Sequence, residues 1–270
     1  MFISTNKSGL CNRLKSFVSI VKMAKDNNSN DYKIKWNILD DYKKDVHILN
    51  CPFNFLFLNN IEVDKIEDDD KTFNSHCFYV AGKDNIPKNF NTFKSFRFTP
   101  SDRFRRNIDF MYNKIPKNIK NEYIDYFKIL KPLEKIQIEI DKFKKCFNKD
   151  TISVHIRSWN RSGENSRHKH FHNFKNIEDR LNQYPNKNFY LSTDSEQVKI
   201  KLKQMYKDRL IFYPRKTNLN TSRDHPKGIQ EDLIELYLLS KNKFIIGSKN
   251  SSFTEVAWYL ADCPKDIIII

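Results

Sequence analysis

Glycine is scarce, with five in 270 residues. Each one must answer a local backbone need, a tight turn or a close approach, and no three-glycine dinucleotide fingerprint or P-loop can be assembled from them. Cysteine also numbers five, odd and without paired spacing, which argues against a disulfide framework and a cysteine-based zinc site. Long apolar runs are missing. Stretches such as 244–247 and 267–270 are strand-sized, far short of the roughly 18 residues of a membrane span. The opening residues, MFISTNKSGLCNRLK, lack a basic segment followed by an apolar one, so no secretory signal is read there. A cytoplasmic location is the expectation. Acidic residues are outnumbered, 33 against 48 basic ones. The net charge of +15 favours anionic partners, either nucleic acid or a nucleotide or nucleotide-sugar. The excess is spread over both halves, +8 in residues 1–150 and +7 in 151–270. It is not a basic tail, and a Lys- and Asn-rich genomic composition accounts for it equally well.

What is present suffices to fold. Hydrophobic residues at 39% and aromatics at 14% exclude global disorder, and the length allows one large domain or two modest ones. The second half reads clearly. Strands are expected at 151–157, 188–192, 209–213, 243–247 and 266–270, with helices at 174–183, 196–206, 229–239 and 251–261 between them. Such alternation implies parallel pairing and a doubly wound sheet. In the first half, a short strand at 1–5 leads through a Gly9 turn into a helix over about 12–25, and 32–38 alternates like a strand. Residues 50–106, with Pro52, Pro87 and Pro100, read as loops with short elements. Residues 121–147 are helical, with a break or restart at Pro132. A boundary near Asp150 gives two α/β halves, 1–150 and 151–270, with a cleft between them.

Three segments can carry chemistry. Ser8-Gly-Leu-Cys-Asn-Arg13 sits between the opening strand and its helix, where Asn12 can orient a hydroxyl and Arg13 can meet a phosphate; an ordinary capped βα turn explains it as well. His155-Ile-Arg157 lies at the C-terminal end of a buried strand with both polar residues on one face, the end that faces the ligand crevice in a doubly wound sheet. Arginine's rigid fork suits a pyrophosphate, and the loop that follows adds Arg161 and Glu164; a salt bridge is the plainer role for Arg157. The segment 248–254 offers hydroxyls and amides at a helix start, where Ser251 or Ser252 could bind phosphate or simply cap the helix. Asp194 and Asp232 could recognise ribose or base, or serve as caps or surface acids, and Asp232 is placed at the start of its helix. Two clusters are discounted. His168, His170 and His172 lack the partners that would complete a metal site, and Asp68-Asp69-Asp70 reads as a solvated turn.

In their order, GLCNRL, SVHIRSWNRSGE, YLSTDSEQVKIKL and EDLIELYLLSKNKFIIGSKNSSFTEVAWYLA resemble the GDP-fucose-dependent fucosyltransferase superfamily: the α1,6-, nodulation and protein O-fucosyltransferases. The α1,6 enzymes look most similar, because a glycine and an acid follow the HIR segment and a hydrophobic-His pair, Phe171-His172, comes later. The resemblance implies a GT-B-like α/β fold with two Rossmann-like domains. It further implies inverting, metal-independent transfer of fucose from GDP-fucose to a glycan hydroxyl, with no cofactor. Arg157 would grip the donor diphosphate and His155 would line the donor pocket. Asp194 and Asp232 would lie near the ribose and guanine, and Ser251, Ser252 and Phe253 would form the β-phosphate loop. Arg161 and Glu164 fall near positions used in acceptor activation, with Glu164 as the expected base. Ser158 stands where the family carries a second arginine, and Glu164 is one residue out of register. The competing readings are a transferase of another GDP-sugar, a basic nucleic-acid-binding protein without enzymatic activity, and a transferase-like fold that binds glycan without turnover.

Overall fold

A computed structural model describes residues 1–36, 49, 51–58, 60–67, 77–79, 104–106, 117–158, 174–219, 224–249 and 251–270. The chain opens with β1 (Phe2–Thr5), α1 (Leu10–Asp26) and β2 (Tyr32–Trp36). With β3 (Val63–Lys65) these strands form a parallel sheet in the order β1-β2-β3. A separate antiparallel pair joins β4 (Cys77–Tyr79) to β5 (Phe104–Arg106). Pro132 divides the helical stretch, as a missing N–H and a fixed φ require, into α2 (Lys117–Ile129) and α3 (Glu134–Phe143).

The second sheet begins at Thr151. Its elements run β6 (Thr151–Ile156), α4 (Phe174–Asn182), β7 (Asn188–Thr193), α5 (Glu196–Tyr206), β8 (Leu210–Ile211), α6 (Pro226–Leu239), β9 (Phe244–Gly247), α7 (Ser252–Leu260) and β10 (Asp266–Ile269). The spatial order is β10-β9-β6-β7-β8, all parallel. The chain starts in the middle, winds outward through β7 and β8, then crosses back to β9. This reversal places a topological switch point between β6 and β9, where open α/β sheets bind their ligands.

Period-two alternation divides the faces of β6. Ile152, Val154 and Ile156 join the smaller core with Ile177, Leu181, Val198 and Leu202 of α4 and α5. The odd-numbered positions face the other way, where Ser153 accepts a hydrogen bond from Asn242 at 3.0 Å. On that side lies the larger core, built from α1, α2, α3, α6 and α7 together. It crosses between the two sheets: Gln230 Nε2 donates to the Phe55 carbonyl at 2.8 Å, and the Tyr237 hydroxyl donates to the Leu130 carbonyl at 3.1 Å. α1 is buried from Leu10 through Ala24 except at Asn12.

Candidate functional site

The switch point is built by close packing. At Gly247 a Cβ would stand 2.1 Å from Thr254 Cγ2, so only glycine lets α7 begin this near the end of β9. The next residue, Ser248, is fully buried and ties the two strand ends together. Its Oγ accepts from the Arg157 N–H at 2.9 Å and donates to the His155 carbonyl at 3.2 Å. His155 Nδ1 lies 2.7 Å from Thr254 Oγ1, and its ring stacks on Phe253 with centroids 4.9 Å apart. Ser251 is the N-cap of α7, yet its side chain does not cap the helix. The capping alternative therefore does not account for Ser251.

Arg157 is paired with Asp194. The other carboxylate oxygen of Asp194 accepts from the Ser158 N–H at 2.7 Å and from the Ser158 hydroxyl at 2.8 Å. Burial opposes ionisation of Asp194, but Arg157, both Ser158 donors and His155 hold its carboxyl below the usual carboxylate range. Asp194 thus orients the arginine and the turn after β6. Ser158, fully buried, donates to that carboxylate through both its N–H and its hydroxyl.

Asp232 requires a correction. It does not start its helix: Pro226 occupies the first turn of α6, where its missing N–H costs nothing, and Asp232 lies six residues further on. Its Oδ1 is 2.7 Å from Arg215 Nη1. Arg215 also faces Glu235 at 3.5 Å and Glu231 at 3.6 Å. Burial opposes the Arg215 charge, yet Asp232, Glu235 and Glu231 outweigh it and raise its pKa. Glu231 in turn accepts from the Lys216 and Thr217 N–H groups at 2.8 and 3.1 Å. Glu235 accepts from the Ser192 hydroxyl at 2.9 Å, and burial pushes its carboxyl up to about 7. Arg215, Glu231 and Glu235 were missed from sequence. The available signal was two acids four apart, Glu231 and Glu235, set among Ile229, Leu233, Ile234 and Leu236.

At the first sheet, Gly9 is the N-cap of α1 in an extended conformation and α1 begins at Leu10, two residues before the expected start. Arg13, expected to meet a phosphate, is 1% exposed. Its Nε donates to the Ser8 carbonyl at 2.8 Å, and its guanidinium lies 4.8 Å from the centre of the Trp36 ring. Burial lowers its pKa to about 9. Asn12 keeps a buried Oδ1 without a hydrogen-bond donor. Burial drives the thiol of Cys51 up, partly offset by the positive charge of Arg13. Lys15 Nζ and Glu255 Oε2 pair at 2.5 Å between α1 and α7.

Arg161, Glu164, the three histidines and Asp68 to Asp70 lie outside the described residues. Among the described residues no group of three His, Cys, Asp or Glu is placed to hold a metal ion, and no helix is long and apolar enough to cross a membrane.

No family model and no curated protein matches this sequence. Solved structures do. NodZ α-1,6-fucosyltransferase soaked with GDP-fucose is 18% identical over 96% of this chain and 91% of its own, with a TM-score of 0.54. Fucosyltransferase NodZ from Bradyrhizobium is 19% identical over 95% and 91%, with a TM-score of 0.52. POFUT1 in its apo form is 12% identical over 100% and 97%, with a TM-score of 0.51. At these identities the likeness is one of architecture: this chain has the two-sheet α/β fold of GT-B-type fucosyltransferases.

Proposed function

We propose that the protein is an inverting, metal-independent glycosyltransferase that moves fucose from GDP-fucose to a glycan hydroxyl. The observation that carries this reading is the fixed Arg157 at the switch point, beside a helix start that Ser251 does not cap. The similarity to a NodZ structure soaked with GDP-fucose supports that donor over other GDP-sugars. Residues 151–270 take the donor and residues 1–150 face the acceptor.

The chemistry follows from charge. When the glycosidic bond breaks, negative charge grows on the β-phosphate. Arg157 and the first-turn amides of α7 at Ser252 and Phe253 stabilise that charge more in the transition state than in the ground state. Asp194 keeps the Arg157 fork in place, which avoids reorganisation during the step. The acceptor hydroxyl is a poor nucleophile and needs a carboxylate to take its proton. Glu164 has that role, with Arg161 beside it. Asp232, one oxygen held by Arg215, recognises the nucleoside with the other.

A binding panel tests this directly. GDP should bind in calorimetry while UDP, ADP and single-stranded RNA do not, and GDP-fucose turnover should persist in excess EDTA. Preference for RNA would overturn the enzymatic reading. Loss of turnover in EDTA, restored by Mn²⁺, would overturn metal independence.

A further inference from the structure

Lys15 and Glu255 have side chains 0% and 1% exposed. Among the described residues no other ion pair is so completely removed from water. It joins α1 to α7 across 240 residues of sequence. Both helices also send apolar side chains, among them Leu14, Val18, Val256 and Ala257, into one core. Desolvating two charges is costly, and well-packed apolar residues of similar volume hold helices together at least as firmly. What apolar residues lack is a preference for a single placement: they tolerate sliding, whereas an ammonium and a carboxylate satisfy each other in one register.

The location of the pair gives that register a use. Lys15 follows Asn12 by three residues, and Glu255 follows Ser252 by three. With α1 beginning at Leu10 and α7 at Ser252, at about 1.5 Å per residue the pair stands roughly 7.5 Å inside α1 and roughly 4.5 Å inside α7. A tie there, within two turns of both helix starts, sets the first turn of α1 against the first turn of α7. One turn carries Asn12, with its buried and undonated Oδ1; the other carries the 251–253 segment.

We infer that Lys15 and Glu255 are positioning residues for sugar transfer, a buried tie that sets the first turn of α1 against the first turn of α7. The inference rests on the crevice being the GDP-fucose site. The test uses the full chain with both partners made apolar, Lys15→Met with Glu255→Leu. Its melting temperature should equal or exceed that of the wild type and its GDP affinity should stay near the wild-type value. Its kcat should fall by at least about tenfold, the scale of a small misplacement of reacting groups. The swapped pair, Lys15→Glu with Glu255→Lys, keeps the tie and should recover most of that kcat. A double apolar variant that transfers at the wild-type rate overturns the inference. So does one that fails to fold, because the pair then serves stability, and so does a folded swap that recovers nothing. A wild-type protein that neither binds GDP nor turns over GDP-fucose is a failure of the proposed function instead. Hydrogen exchange then judges the tie: the first-turn amides of α1 and α7 should exchange faster in the apolar variant at equal melting temperature, and equal rates overturn it.

Discussion

The guanidinium of Arg157 reaches the crevice with its direction already set, because Asp194 holds it and Ser158 holds Asp194. Replacing Arg157 with Lys keeps the charge and loses the planar fork. Weaker GDP binding and slower transfer are expected, about 2–4 kcal/mol in the barrier; calorimetry and steady-state rates measure both, and retained activity would remove Arg157 from the mechanism. Glu164→Gln should bind GDP normally and transfer at least about a hundredfold more slowly, the usual scale for a lost general base. Wild-type turnover in that variant would place the base elsewhere. At this scale the sequence made residue types legible but not partners. His155 and Arg157 were found by alternation along one strand. That Asp194 would be engaged by Arg157, and Asp232 by Arg215, depends on contacts 37 and 17 residues apart, which no local pattern encodes.

Elements followed their punctuation. Pro132 separated α2 from α3, and the five strands of the second sheet announced themselves by β-branched and aromatic runs. Boundaries moved where a cap or a proline had the last word. Pro226 starts α6 three residues before the apolar pattern does, and a 3₁₀ turn takes Arg209 from β8, which spans Leu210 and Ile211. The first half offered fewer such signals, since its strands are three to five residues long. One element contact can be tested by a single methyl group. Gly247→Ala drives a Cβ into Thr254, and overpacking of this kind typically costs about 1–3 kcal/mol. A lower urea midpoint is expected together with weaker GDP binding, because α7 must retreat from the crevice. Adding Thr254→Ala removes the clashing atoms and should return part of the stability. An unchanged midpoint in Gly247→Ala would mean that α7 is not seated this closely.

For the molecule as a whole, pH acts through two carboxylates of opposite tendency, Glu235 buried and Asp194 half-buried. Burial raises Glu235 to about 7, so the folded chain holds that proton more tightly than the unfolded one. Its contribution to stability is complete below the unfolded value and is lost as pH rises through about 7. Asp194 is depressed instead; its contribution is present above the unfolded value and disappears as pH falls through the folded one. Urea midpoints measured near pH 5 and near pH 8 should therefore drop more in the wild type than in Glu235→Gln. An equal drop would assign the titration to another group. The two-sheet plan was readable in advance because alternation and strand chemistry are local. The larger core was not, since α1, α2 and α3 meet α6 and α7 only through long-range packing.

That shared core has a consequence for how the protein is made. Lys15 leaves the ribosome 240 residues ahead of Glu255, a delay of roughly 12–48 s at about 5–20 residues per second. Until α7 arrives, the face of α1 that it will cover has no partner there, and newly made chains with continuous apolar stripes stick to one another. Lys15 interrupts that face while it waits, and Arg13 and Lys22, also buried in the finished fold, break the apolar surface of α1 elsewhere. Charges that are costly to enclose at the end thus act as gatekeepers of the nascent helix at the beginning.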